Sequence, residues 1–211
     1  MRRLPVYLLI DTSGSMRGEP IASVNTGLQT MLASLRQDPH ALESVHLAIW
    51  TFDKEVNNVL PLTELSDIQL PEIETPASGP TMLGRALTEV LSCVDSEVRK
   101  GGEDSKGDWM PLLFIMTDGK PSDLADFNGV LSQVKAAGFG AIVACAAGPK
   151  AKSEYLQMLT DRVVTLDTLD ANGFEQFFKW VSASVSVGNR SVGVTDDISL
   201  PPPPPELNLV I

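Results

Sequence analysis

The chain has 211 residues, 43% of them hydrophobic and 20% charged, and a formal charge of −11 from 16 basic and 27 acidic side chains. Those proportions are ordinary for a globular protein of one larger domain or two small ones. The acidic balance, with no basic stripe, argues against a nucleic-acid footprint. The apolar run near the N-terminus stops at Ile10, too short for a signal peptide or a membrane-spanning helix. Cys93 and Cys145 lie in apolar patterns and form no CxxC pair. They read as free thiols in a reducing compartment, so a cytoplasmic protein with no membrane partner is expected.

In chain order, Val6-Tyr7-Leu8-Leu9-Ile10 is a continuous apolar run and predicts a buried strand. Glu19-Pro20 opens a helix whose apolar face is Ile21, Val24, Leu28, Met31, Leu32 and Leu35, and Asp38-Pro39 stops it. Gly27 within it is read as a close approach to a sheet. Residues 45–52 predict a second strand and residues 56–60 a third, joined by a short hairpin and antiparallel at one edge. Residues 61–80 are rich in Pro, Glu and Ser and form a long loop.

A helix follows Thr81 with Leu83, Leu87, Val90, Leu91 and Val94 on one face, then an exposed connector over residues 100–108. Residues 111–116 predict a strand ending in Thr117-Asp118-Gly119, and Pro121-Ser122-Asp123 starts the next helix. A strand over 139–146, a short helix over 153–159, a strand over 163–165 and a last helix over about 171–186 complete the pattern. Strands alternating with helices predict a three-layer α/β/α, doubly wound fold whose central sheet is mostly parallel with one antiparallel edge strand. The domain boundary is set at residues 1–186, with a Pro-rich tail over 187–211. Its run Pro201-Pro202-Pro203-Pro204-Pro205 reads as a linker, or less readily as a peptide ligand or a partner strand.

Asp11, Ser13 and Ser15 put one carboxylate and two hydroxyls at alternate positions where the first strand ends. Gly14 lets the backbone fold tightly between them. Hard oxygen donors of this kind suit Mg²⁺, Mn²⁺ or Ca²⁺ rather than Zn²⁺ or copper. Asp118 ends another strand, and ligands in such sheets bind outside the carboxyl ends of the strands. Thr81 enters a helix on a loop that topology could place at either end of the sheet. Singly, each of these residues has an ordinary alternative as a helix cap or turn. Asp53, Asp123 and Asp126 read as solvated or capping residues, and His40 and His46 as structural.

Together, Asp11-x-Ser13-x-Ser15, Thr81 before an amphipathic helix, and Thr117-Asp118-Gly119 after a strand resemble the metal-ion-dependent adhesion site of von Willebrand factor A domains. Within that family the likeness is to the bacterial tellurium-resistance TerY group, through residues 6–16, the segment Ser78-Gly79-Pro80-Thr81-x-Leu83-Gly84 and Thr117-Asp118-Gly119-x-Pro121. Pro80 departs from the family, where a second glycine often precedes the threonine, and stiffens the loop. The resemblance implies Mg²⁺, with Mn²⁺ or Ca²⁺ as alternatives. Ser13 and Ser15 would be direct ligands and Thr81 a direct or water-mediated one, while Asp11 and Asp118 act mostly through bound waters. It implies a non-enzymatic module that grips a protein partner's carboxylate. It further implies a role in tellurite or chemical-stress response, with a protein kinase or phosphatase among the partners.

The alternative is a metal-dependent phosphotransferase or hydrolase using Asp11 as nucleophile. Such enzymes want a second aspartate two residues later, where this chain has Ser13. There is no P-loop, no Gly-x-Ser-x-Gly elbow and no histidine placed as a base.

Overall fold

Eight consecutive buried residues, Leu4–Asp11, form β1, an interior strand of a seven-stranded sheet ordered β3-β2-β1-β4-β5-β6-β7. A computed structural model describes residues 2–102, 106–149, 151–191 and 200–210. β2 (Val45–Phe52) and β4 (Leu112–Thr117) flank β1 in parallel, followed by β5 (Ala141–Ala147) and β6 (Val163–Leu166). β3 (Val56–Glu64) is antiparallel at one edge, as the hairpin signal predicts.

Side chains alternate across β1, which explains the layering. Leu4, Val6, Leu8 and Ile10 face one apolar cluster with helices α1 (Glu19–Arg36) and α6 (Ala171–Ser191). Tyr7 and Leu9 face the other, with α3 (Leu83–Glu97), α4 (Leu124–Ala136) and the short α5 (Ser153–Gln157). Each such side chain contributes about 1.5–3 kcal/mol on burial, so an interior strand apolar on both faces holds both layers together. Chain order runs outward from β1 to β2 in one direction and from β4 to β5 in the other. The sheet therefore reverses between β1 and β4, which is where such folds open a crevice at the carboxyl edge.

Several local readings change. Asp38-Pro39 ends α1 but also starts the short helix α2 (Pro39–Ser44), with the Asp38 carboxylate accepting from the His40 amide. Gly27 meets α6 rather than the sheet: a Cβ there would lie 2.3 Å from the Phe178 ring. Gly84 allows the contact of α3 with α4, because a Cβ would lie 2.2 Å from the Phe127 backbone nitrogen.

Of residues 187–211, α6 continues to Ser191, and Asn208–Val210 form β7, a second antiparallel edge paired with β6. Leu207 is buried, and the Trp180 indole N–H donates to the Pro201 carbonyl at 3.0 Å. The polar stretch at 192–199 and the connector positions 103–105 lie outside the described residues. Cys93 and Cys145 are both free thiols, the first half-buried and the second buried. Among the described residues no helix is long and apolar enough to cross a membrane.

Candidate metal centre

Asp11 is the last residue of β1, and the neighbouring strand brings Thr117 beside it, since Ile10 pairs with Met116. The Thr117 hydroxyl donates to Asp11 Oδ2 at 2.6 Å, and the Ser13 amide donates to Asp11 Oδ1 at 2.7 Å. Both carboxylate oxygens thus hold backbone or side chain in place. The chain then makes one tight turn, Gly14–Met16, anchored by the fully buried Met16 and by its amide on the Ser13 carbonyl. That turn aims Ser13 Oγ to within 3.3 Å of Ser15 Oγ and 3.5 Å of Asp118 Oδ1. Asp11, Ser13 and Asp118 are buried, whereas Ser15 is exposed and forms the mouth.

Thr81 reaches the same end of the sheet by a route the sequence does not spell out. β3 ends at Glu64, beside His46 at the amino end of β2, so the chain must climb the full height of the sheet before α3. The Arg36 guanidinium holds the carbonyls of Leu65 and Ile68 at 3.0 and 2.7 Å. Higher up, Asn25 bonds both the amide and the carbonyl of Ile73. At the top, the Thr81 amide donates to Ser122 Oγ, the Ser122 amide donates back to the Thr81 carbonyl, and the Met82 amide donates to the Asp53 carbonyl. The Thr81 hydroxyl faces Gly119, where a Cβ would come within 3.2 Å of it. Gly14 approaches the same loop, since a Cβ there would lie 3.0 Å from the Ser78 Cα.

The structure therefore brings Asp11, Ser13, Ser15 and Asp118 together and sets Thr81 against the Asp118-Gly119 turn. Residues that the sequence does not single out for this purpose complete the frame. Asp53 accepts from the Thr12 hydroxyl at 2.8 Å, tying the β2–β3 turn to the β1 loop. Asp123 stands at the start of α4, but its carboxylate accepts the Gly84 and Arg85 amides of α3, at 3.2 and 2.8 Å. A carboxylate at an N-terminal turn satisfies open amides and complements the helix dipole, so Asp123 fixes the helix that Thr81 introduces. The available signal for Asp123 was its cap chemistry, which identifies a cap but not the helix it serves.

Burial pushes the Asp11 carboxyl up to about 6. Hydrogen bonds from Thr117 and Ser13 hold it lower than burial alone would, and the Asp118 charge adds to the rise. Neither aspartate makes an ion pair with a described residue, so among the described residues no cation directly offsets the two carboxylates. Among the described residues no group of three or more His, Cys, Asp or Glu could hold a metal, which leaves a donor set dominated by hydroxyls.

The model of the von Willebrand factor type A domain matches residues 6–179. The chain belongs to that family. Among solved structures, this von Willebrand factor type A chain is similar to proximal thread matrix protein 1 from the mussel byssus with a zinc-occupied MIDAS motif, at 16% identity and a TM-score of 0.61. That match covers 88% of this chain and 48% of the other. It is similar to manganese-loaded TRAP protein of Plasmodium vivax, at 19% identity and a TM-score of 0.58, covering 82% and 71%. A von Willebrand factor type A protein from Catenulispora acidiphila matches at 16% identity and a TM-score of 0.61, covering 88% and 43%. The chain spans about half the length of the first of these, and at such identities the likeness is one of fold. No curated protein sequence matches the chain.

Proposed function

We propose that this von Willebrand factor type A domain is a non-enzymatic, metal-dependent protein-binding module with Asp11, Ser13, Ser15, Thr81 and Asp118 as its metal site. The observation that carries the reading is the pair of serine hydroxyls 3.3 Å apart beside two buried carboxylates. Adjacent oxygens on an octahedral Mg²⁺, each 2.0–2.1 Å from it, lie about 3 Å apart, so this pair needs little adjustment. Ser13 and Ser15 are assigned as direct ligands and Thr81 as a direct or water-mediated one. Asp11 and Asp118 orient bound waters, a role that suits carboxylates already engaged with Ser13 and Thr117. Once bound, the cation supplies positive charge that neutral hydroxyls leave largely intact, and a partner's carboxylate completes its shell. The zinc-occupied MIDAS motif of one solved relative and the manganese load of the other support a bound cation, and the oxygen donors favour Mg²⁺ or Mn²⁺, with Ca²⁺ as a further candidate.

The TerY likeness rests on the sequence segments around Asp11, Thr81 and Asp118. It extends the reading to a cytoplasmic module, residues 1–186 with the tail 187–211 appended, acting in tellurite or chemical-stress response beside a kinase or phosphatase. Affinity capture with the full chain, with Mg²⁺ and with chelator, tests the grip. Partner retained with Mg²⁺, released by EDTA and lost in Asp11→Ala is the expected result, and capture that persists in EDTA overturns it.

A further inference from the structure

The loops around this site carry cations that the interior does not use. β2, β1, β4 and β5 lie side by side in parallel, so the loops leaving their carboxyl ends form neighbouring segments of one rim. Arg17 lies on the loop after β1, Lys120 on the loop after β4 and Lys152 on the loop after β5. All three are exposed, and none makes an ion pair with a described residue. The acids on the same loops are differently placed. Asp118 belongs to the site, and Asp123 is buried with both oxygens on α3 amides. On the β2 side, Asp53 is tied to Thr12 and to the Glu55 amide, and Lys54 is offset by the exposed Glu55. Exposed Glu19 at the start of α1 and exposed Glu154 at the start of α5 follow Arg17 and Lys152 in the chain, while on the adjoining loop after β6 Asp167 accepts from Asn208 and Asp170 accepts from Thr168 and the Gly173 amide. A chain of net charge −11 repels acidic molecules over most of its surface, so three exposed cations on adjoining loops at the site's own rim are where an acidic segment can pair.

We propose that the partner's metal-completing carboxylate is presented by an acidic, extended peptide segment, whose flanking Asp or Glu side chains pair with Arg17, Lys120 and Lys152. Strands lie about 4.8 Å apart and an extended peptide rises about 3.3 Å per residue. A segment crossing the rim from the β1 loop to the β5 loop therefore spans about three to five residues, with alternate side chains facing the domain. Neutral hydroxyl ligands recognise any accessible carboxylate, and the cation row selects among them. This rests on the metal-grip reading above and adds its specificity.

The test uses the full chain with Mg²⁺ and two synthetic peptides, each with a central Asp. One carries Glu two and four residues to either side, the other Gln at those places. Exposed ion pairs are individually weak, and three together give about a tenfold preference for the Glu peptide, shrinking as salt rises. The R17E/K120E/K152E variant, checked for an unchanged melting temperature, should lose or invert that preference. Equal binding of both peptides to the wild-type chain, in the presence of Mg²⁺, overturns this inference and leaves the metal grip standing. No Mg²⁺-dependent binding of either peptide removes both. Mg²⁺-independent binding of a single-stranded oligonucleotide through the same three cations would assign the row to nucleic acid and overturn the proposal.

Discussion

The Thr117 hydroxyl donates to Asp11 Oδ2 at 2.6 Å, joining the carboxyl ends of two adjacent strands at the point where the sheet reverses direction. Both groups are buried, Asp11 fully and Thr117 to 1% exposure, so no water substitutes when one is removed. Thr117→Val keeps the shape and deletes the donor. The expected loss is about 1–3 kcal/mol of stability, because a buried carboxylate loses a partner. Outer-shell partners of metal sites typically contribute 10–100-fold in affinity, so weaker Mg²⁺ or Mn²⁺ binding of that order is expected as well. Chemical denaturation and calorimetric metal titration measure the two effects.

The raised Asp11 carboxyl makes the metal-free protein pH-dependent in a defined direction. Its folded value, about 6, stands above the ordinary value of 3.8, so the folded state binds the proton more tightly. The associated stability is fully present below pH 4 and is lost as pH rises through 6. At most it amounts to about 3 kcal/mol. The difference in unfolding free energy between wild type and Asp11→Asn, followed from pH 4 to 7 in chelator, isolates this group from the other carboxylates. A difference that stays constant across that range would contradict the assignment. Saturating Mg²⁺ should flatten the wild-type profile, since bound cation favours the ionised carboxylate.

Asp123→Ala tests whether helix capping positions Thr81. Two α3 amides lose their acceptor, which costs about 1–2 kcal/mol of stability. Thr81 lies two residues before that helix and shares its loop clamp with Ser122, so metal affinity should fall alongside stability. A variant with lowered melting temperature and unchanged Mg²⁺ affinity would separate the cap from the site.

At the opposite end of the sheet, Asp108 accepts from Arg3 Nε at 3.0 Å and Nη2 at 2.5 Å, and from the Arg99 amide at 2.8 Å. Burial alone would push this carboxyl up. The Arg3 and Arg99 hydrogen bonds and charges outweigh it and hold the group below the ordinary carboxylate range. The sign is therefore the reverse of Asp11: stability is present above about pH 4 and is lost as pH falls through the lowered value. Asp108→Asn should destabilise by about 2 kcal/mol at neutral pH while leaving Mg²⁺ affinity unchanged, since the pair is remote from Asp11. Melting curves with and without Mg²⁺ check both parts.

The features legible in the amino-acid string are those that local chemistry decides. The apolar run over 45–52 coincides with β2, the face of α1 is the one its periodicity indicates, and Asp11, Ser13 and Ser15 share one turn because they share one pentapeptide. Tertiary structure alone decided what depends on partners far along the chain. Thr81 comes to the carboxyl edge because Arg36 and Asn25 guide the 65–80 segment up beside α1. Asp123 looks like the cap of its own helix, yet serves one that starts 40 residues earlier, at Leu83. Gly27 opens space for Phe178, and the segment after the proline run pairs with β6. Periodicity and cap preference act over a few residues. These placements instead follow from strand order and from hydrogen bonds closed over long stretches of chain, such as the sequence separation of 106 from Asp11 to Thr117.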